Sequence, residues 1–129
     1  MERINYLSGA PLEEKVGYSR MIKVGNMVMI GGTTSVQPDG SVIGVGDPYA
    51  QAKYIFEKQV KLLEKAGAKP KDVVKIKAYV TKMSYCQEIS RAYSEIFHDI
   101  KPLFTAVGTP ELNRETQLCE IEMTAIITE

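Results

Sequence analysis

The end of the chain alternates between apolar and polar residues from Leu118 to Thr128, and this pattern constrains the fold more than any other. Side chains of a β-strand point alternately to its two faces, so the run predicts a strand with one apolar face against a core. That apolar face consists of Cys119, Ile121, Met123, Ala125 and Ile127. The opposite face carries Glu120 and Glu122, whose carboxylates are expected to meet solvent, a partner subunit or a binding site.

Two amphipathic helices and a second clear strand precede this run. Asp47-Pro48 combines an N-cap acid with a proline suited to the first helical position, and Gly67 ends the periodic segment that follows. Asp72 to Thr81 alternates as a strand, and Ser84 is predicted to cap a second helix. Two successive strand–helix units predict an α+β fold, in which both helices pack on one face of a mixed β-sheet.

The first part of the chain predicts less regular structure. Residues 1 to 16 are expected to form an irregular lead-in because they mix proline, glycine and charged residues. Tyr18 to Val24 and Met27 to Ile30 predict two short strands, and Gly25-Asn26 suits a two-residue hairpin turn between them. Pro38-Asp39-Gly40 predicts a further turn.

The polar faces of the two best strands complement each other in charge. Lys75, Lys77 and Tyr79 alternate with apolar Ile76 and Ala78, just as the two glutamates alternate with apolar residues near the C-terminus. If these strands are neighbours, their polar side chains form one surface that the two helices do not cover. The pattern therefore predicts a homo-oligomer assembled through this face of the sheet.

Length, charge and cysteine content exclude several classes of protein. The 129 residues are expected to form a single domain, 1–129, and 16 basic residues balance 16 acidic ones, so no net field favours nucleic acid or an anionic membrane. No apolar stretch approaches the roughly 20 residues of a membrane span, and the first residues lack a signal-peptide pattern. Cys86 and Cys119 lack CxxC spacing, so we expect reduced thiols and a cytoplasmic protein.

Short segments in a particular order also match a known family. They are Tyr18-Ser19, Ile30-Gly31-Gly32, Leu63 to Ala68 (LEKAGA), Asp72 to Lys75 (DVVK), Tyr93 to Phe97 (YSEIF) and Cys119 to Glu122 (CEIE). From about Ala10 onward the chain resembles the YjgF/RidA family. Each segment is a weak signal, but their ordered combination is specific.

This resemblance implies a fold like that of the small chorismate mutases, assembled as a homotrimer. The sheets would form a central barrel with the helices outside, and three ligand sites would lie in the clefts between subunits. The implied activity is hydrolysis of enamine and imine intermediates, released by pyridoxal-phosphate enzymes, to 2-oxo acids and ammonia. That chemistry requires no metal and no bound cofactor.

The resemblance also assigns site residues. The glutamate that positions water corresponds to Glu120, the site tyrosine to Tyr18, and a position where the family usually has serine to Gly31. The family's carboxylate-binding arginine, in a Pro-x-Arg-Ser/Thr segment, corresponds to Phe104, with Thr105 next to it. A phenyl ring offers neither charge nor donor, so the chain is expected to lack the main anchor for a substrate carboxylate.

Two other arginines are candidates for the missing charge. Arg20 shares the strand face of Tyr18, and Arg114 lies on the loop before the last strand; solvated surface positions are the alternative for both. Glu120 has a structural alternative too, as a partner of Lys75 or Lys77.

Two functional hypotheses follow. The first is an enamine/imine deaminase with altered substrate choice, and the second is a non-catalytic, ligand-binding or regulatory trimer on the same scaffold. An endoribonuclease role, attributed to some relatives, finds no support in a neutral chain. A metal site at His98 is not expected because no ligand spacing accompanies this single histidine.

Overall fold

The computed structural model describes residues 1–128, in which six β-strands and two α-helices alternate with loops and three short helical turns. The strands are β1 (Arg3–Tyr6), β2 (Met21–Val24), β3 (Met27–Thr33), β4 (Val73–Val80), β5 (Leu103–Gly108) and β6 (Cys119–Ile126). The helices are α1 (Pro48–Lys65) and α2 (Cys86–Phe97). The strands form one sheet in the order β1-β2-β3-β6-β4-β5, antiparallel throughout except for the parallel pair β4 and β5. This mixed sheet confirms the predicted α+β class.

The core lies between one face of the sheet and the two helices. Phe56 of α1 and Phe97 of α2 are fully buried, and their rings meet edge to face with centroids 5.6 Å apart. They pack in the same cluster as Ile76 of β4 and Ile121 of β6. Fully burying side chains of this size contributes about 1.5–3 kcal/mol each, so the apolar faces of helices and strands fix which side of the sheet is covered.

The two ends of α1 lie where the sequence predicts them, whereas the start of α2 differs from the prediction. The Asp47 carboxylate accepts a hydrogen bond from the Ala50 N–H at 3.0 Å, and Gly67 takes a φ of 83° just beyond the helix. The prediction that Ser84 caps the second helix is wrong. Ser84 lies inside a 3₁₀ turn, Met83–Tyr85, that leads directly into α2, so backbone hydrogen bonds of this turn replace a side-chain cap.

The N-terminal segment contains a strand that was not predicted. β1 pairs in full with β2, from Arg3 opposite Val24 to Tyr6 opposite Met21, so residues 1 to 16 are not irregular throughout. β2 begins at Met21 rather than at Tyr18. Four residues with mixed polarity give no readable alternation, and β1 exists because the outer edge of β2 offers its hydrogen-bonding groups.

The central strands β4 and β6 are antiparallel neighbours, which meets the condition under which their polar side chains form one surface. Lys77 lies opposite Glu122 and Tyr79 opposite Glu120. One detail of β4 differs from the predicted alternation, because an irregularity between Val73 and Lys75 leaves Val74 without a partner. Simple alternation with Ile76 and Ala78 would bury Val74 and turn Val73 away from the core, but Val73 is buried and Val74 is 39% exposed.

Two buried glutamines of α1 hold the beginning of β6 in place. The Gln51 side chain accepts a hydrogen bond from the Leu118 N–H at 2.9 Å and donates to the Thr116 carbonyl at 2.9 Å. Gln59 donates to the Ile121 carbonyl at 2.9 Å. These bonds straddle Glu120, so the helix layer fixes the backbone that carries this glutamate.

Candidate functional site

A cavity of about 930 Å³ opens at the end of the sheet where β2 begins, β3 ends and β6 begins. Its walls come from residues 8–12, 18–20, 31–40 and 113–117, from one side of α1, and from Glu120. Its volume is in the range of small-molecule sites. Five of the residues assigned from the sequence line it, namely Tyr18, Arg20, Gly31, Arg114 and Glu120.

Arg20 occupies a fixed position at the base of this cavity. Its backbone N–H donates to the Tyr6 carbonyl at 2.9 Å, and its own carbonyl accepts from the Gly31 N–H at 3.0 Å. The guanidinium Nη1 donates to the Gly32 carbonyl at 2.6 Å, and Nη2 lies 3.7 Å from a carboxylate oxygen of Glu13. A guanidinium has five N–H donors, so these two contacts leave donors for a ligand.

Glu13 holds the other side of the Arg20 guanidinium and was missed by sequence reasoning. Its side chain is 2% exposed, and it accepts hydrogen bonds from the Ser8 N–H, at 2.9 Å, and from the Ser8 hydroxyl. Burial raises the pKa of Glu13, but the Ser8 hydrogen bonds and the charge of Arg20 outweigh it, so the net shift is downward. Glu13 therefore stays ionised and fixes the charged head of Arg20.

Glu120 lies at the start of β6, on the opposite face from its buried neighbours Cys119 and Ile121. Burial raises the pKa of its carboxyl, the charge of Arg20 opposes this rise, and the charge of Glu122 adds to it. A carboxyl whose neutral form is favoured in this way can give and take a proton closer to neutral pH than an exposed glutamate.

Gly32 of β3 provides the space for this carboxyl. A Cβ built on Gly32 would collide with the terminal oxygen of Glu120 and crowd its other side-chain atoms. The glycine carbonyl also accepts the Arg20 hydrogen bond, so one residue without a side chain brings the guanidinium and the carboxyl to the same place. The need for this space explains why the second residue of the Gly31-Gly32 pair is a glycine.

The remaining assigned residues divide into two groups. Tyr18 is 40% exposed at the mouth of the cavity, and the Arg114 guanidinium lies against Gly40 on the opposite wall. Phe104 and Thr105 do not line this cavity. The Phe104 ring stacks on Tyr93 of α2, with centroids 4.1 Å apart and planes within 4°, and Thr105 is exposed on the other face of β5. Within one chain, the structure thus joins five of the seven residues and leaves two apart.

One wall of the cavity comes from α1 and was also missed. Tyr54, Glu57, Lys58 and Lys61 line it. Their spacing of three and four residues places them on one side of the helix. Glu57 precedes Lys61 by four residues, a spacing that predicts a stabilising pair, but among residues 1–128 no ion pair within 4.0 Å joins these two.

A second, smaller cavity of about 340 Å³ lies on the polar face of the sheet. It is lined by Lys75, Lys77, Glu122 and Thr124 beside Met29, and Arg20 contributes to both cavities. Lys77 also lies over the Tyr79 ring, 5.1 Å from its centroid. This surface combines opposite charges with the exposed side chain of Met29.

The other reactive side chains give no second site. Within residues 1–128, no group of three or more histidine, cysteine, aspartate or glutamate side chains is arranged to hold a metal ion. His98 is exposed and lies 2.9 Å from its neighbour Asp99. Cys119 is fully buried, and burial raises the pKa of its thiol to about 12, so it packs as an apolar side chain. No helix among the described residues is long and apolar enough to cross a membrane.

Known proteins resemble this chain over nearly its whole length. A RutC family protein of Pyrococcus abyssi is 36% identical over 109 residues, which cover 84% of each chain. A 2-iminobutanoate/2-iminopropanoate deaminase of the mite Dermatophagoides farinae is 27% identical over 85% of each. A crystal structure from Mycobacterium tuberculosis, described as a member of the highly conserved YjgF/YER057c/UK114 family, aligns with a TM-score of 0.87 and 31% identity, covering 98% of this chain and 100% of that one.

The family model described as Endoribonuclease L-PSP matches residues 9–127. That range contains β2 to β6, both helices and every residue of the cavity wall from Gly9 to Glu120. The chain therefore belongs to the YjgF/RidA family.

Proposed function

We propose that this protein binds a small enamine or imine that carries a carboxylate, in the cavity between Arg20 and Glu120, and hydrolyses it to a 2-oxo acid and ammonia. The observation that carries this proposal is the convergence of a partly free guanidinium and a carboxyl of raised pKa on Gly32. A positive group for the substrate carboxylate and an acid–base group for water are the two elements that the reaction needs.

The chemistry follows from the roles of these two side chains. Arg20 holds the substrate carboxylate through the N–H groups that Gly32 and Glu13 leave free. Glu120, as carboxylate, takes a proton from the water that attacks the imine carbon, and then returns it to the nitrogen. An enamine first tautomerises to the imine, and addition of water then gives a carbinolamine. Glu120 moves a second proton, from the carbinolamine hydroxyl to the amino nitrogen, so that the C–N bond breaks as the C=O bond forms and the nitrogen leaves as ammonia. Positioning and proton transfer together accelerate such reactions by large factors.

Arg20 thereby takes over the role that the family's arginine would have at position 104. Phe104 has no charge, and its ring is occupied by the stack with Tyr93. The name of the mite relative supports the reaction class, since 27% identity over most of both chains links this protein to a deaminase of 2-imino acids. An anchor at a different position from the family's arginine supports altered substrate choice.

We also propose that the active form is a homotrimer assembled through the polar face of the sheet. The support is the uncovered cavity at Lys75, Lys77 and Glu122, together with the exposed edge strand β5, where Leu103 is 70% exposed. In such a trimer Phe104 and Thr105 of one subunit would border the cleft of its neighbour. Light scattering at micromolar concentration should give three times 14.3 kDa; a monomeric mass would refute the assembly.

A non-catalytic, ligand-binding trimer is the second candidate. The observation that favours it is the Phe104–Tyr93 stack, because two packed aromatic rings occupy the position where the family has its arginine. In that case the cavity binds 2-oxo acids but does not accelerate imine hydrolysis. Clearance of 2-aminoacrylate separates the two candidates, because only the deaminase accelerates it over buffer.

The role of Arg20 is tested by calorimetric titration of 2-oxobutanoate into wild-type protein and Arg20→Gln. A hydrogen bond to a charged group contributes about 1.5–3 kcal/mol, so the variant should bind roughly 10- to 100-fold more weakly. Arg91→Gln is the matched control, because Arg91 lies exposed on α2, pairs with Glu88 and lines neither cavity. Equal affinities of Arg20→Gln and wild type would reject Arg20 as the anchor.

A further inference from the structure

The charged groups of the large cavity are not balanced, although the charges of the whole chain are. Four basic residues line it, Arg20, Lys58, Lys61 and Arg114, against the two acidic residues Glu57 and Glu120. Glu13, behind Arg20, adds one more negative charge without reaching the lining. The interior of the cavity is therefore positive in a protein with no net charge, and it favours anions.

Lys58 is the more buried of the two α1 lysines that line the cavity. Its side chain is half-buried, and no hydrogen bond or ion pair to it is formed within residues 1–128. Burial lowers the pKa of its ammonium, the nearby charge of Arg20 lowers it further, and Glu13 only partly opposes both. Two cations that share a partly desolvated space destabilise each other unless an anion lies between them.

Lys61 extends this positive region along α1. It follows Lys58 by three residues, which is about 4.5 Å along the helix axis and keeps both side chains on the same wall of the cavity. Arg20 reaches the cavity from the segment just before β2, and it has Glu13 as its own counter-ion. Within residues 1–128, Arg20 thus has an ion-pair partner, whereas Lys58 and Lys61 form no ion pair.

We propose that Lys58 and Lys61 form a second anion-binding subsite, and that the ligand of this cavity is a dicarboxylate. This inference rests on the proposed function, in which Arg20 binds the carboxylate next to the imine carbon. The second carboxylate lies against Lys58, where it supplies the counter-ion that the chain itself does not provide. The reaction product is then a 2-oxo dicarboxylic acid rather than a simple 2-oxo acid.

Calorimetry with two 2-oxo acids tests this subsite. We expect wild-type protein to bind 2-oxoglutarate at least tenfold more tightly than 2-oxobutanoate, since one added charged contact is worth about that factor. Lys58→Gln should weaken the binding of 2-oxoglutarate at least tenfold more than that of 2-oxobutanoate, and so remove this preference. Lys53→Gln is the matched control, because Lys53 is an exposed lysine of the same helix that does not line the cavity.

The outcomes separate this inference from the function on which it rests. Equal affinity of the wild-type protein for both acids would overturn the dicarboxylate subsite, and so would an unchanged preference in Lys58→Gln. If 2-oxobutanoate binding still depends on Arg20 in these cases, the proposed function is not affected. Absence of binding of both acids would overturn both proposals. Inorganic phosphate is the third probe. If the wild-type protein binds phosphate more tightly than 2-oxoglutarate, and Lys58→Gln loses this phosphate binding, the ligand is a phosphorylated compound and the dicarboxylate proposal is overturned.

Discussion

The substitution Gly32→Ala perturbs the proposed acid–base group without removing it. The new methyl group would occupy the space of the Glu120 carboxyl, which must retreat by about 1 Å to restore ordinary van der Waals contact. Gly32 does not have a positive φ, so alanine fits the backbone there without strain. The expected effect is a displaced carboxyl in an otherwise intact protein.

Gly32→Ala is expected to change stability only slightly and activity strongly. Replacing glycine in a compatible conformation stabilises a protein by about 0.4–1 kcal/mol, which offsets the crowding, so the melting temperature should change by no more than about 4 °C. A displacement of about 1 Å in a catalytic group can reduce the rate by roughly 100-fold. We therefore expect kcat/KM to fall by about two orders of magnitude, or about 2.7 kcal/mol in the barrier.

The assay is hydrolysis of 2-iminobutanoate generated in situ by a pyridoxal-phosphate-dependent dehydratase. A second readout, independent of turnover, is the NMR titration of Glu120, whose pKa should move back toward its ordinary value as the carboxyl leaves its half-buried position. Gly108→Ala is the control, since a Cβ there meets only Met83 at 3.4 Å, away from the cavity. A variant with wild-type turnover and an unchanged Glu120 titration would refute the reasoning.

Two carboxyl groups of the site should affect stability with opposite dependence on pH. Glu120 has a raised pKa in the folded protein, so the unfolded chain releases its proton first, and stability falls as pH rises from about 4.5 through the folded pKa. Glu120→Gln should abolish this fall and be more stable than wild type at pH 7 in urea titrations; a less stable variant would contradict the burial effect. Glu13 has a lowered pKa, so its contribution is present above about 4.5 and is lost as pH falls through the folded value. Glu13→Gln should cost about 1–3 kcal/mol at pH 7 and converge with wild type in acid, whereas a constant difference at all pH values would show that ionisation is irrelevant.

Sequence patterns correctly predicted the structural features that depend only on neighbouring residues. The alternation of Cys119 to Ile126, the Asp47 cap and the positive-φ glycine after α1 depend on residues adjacent in sequence, and the structure confirms each of them. These features required no knowledge of how distant segments meet.

Features that depend on distant partners could not be predicted in this way. Glu13 stands among exposed charged residues, and only contacts with Ser8 and Arg20 make it a buried anion. Lys58 occupies the polar side of an amphipathic helix, and its place in the cavity depends on the loop that carries Arg20. The irregularity at Val74 shifts the strand alternation by one residue without a glycine or proline to mark it.

The candidate site was located only partly by its residue types. Family resemblance assigned Tyr18, Gly31 and Glu120, and the strand geometry of residues 18 to 20 suggested Arg20; the structure places all four on one cavity. Position 104 carries no charge here and its side chain packs on α2, so no pattern within one chain indicates which residue replaces the arginine. We propose Arg20 for that role because its hydrogen bond to Gly32, which joins residues 12 apart, holds its guanidinium at the cavity.

A crystal structure of the protein with bound 2-oxobutanoate tests the central claim most directly. We expect the carboxylate of the ligand on the Arg20 guanidinium and its carbonyl carbon facing the carboxyl of Glu120, beside Gly32. A ligand carboxylate bound elsewhere, with the Arg20 donors still turned only toward Gly32 and Glu13, would contradict the assignment of this cavity as the active site.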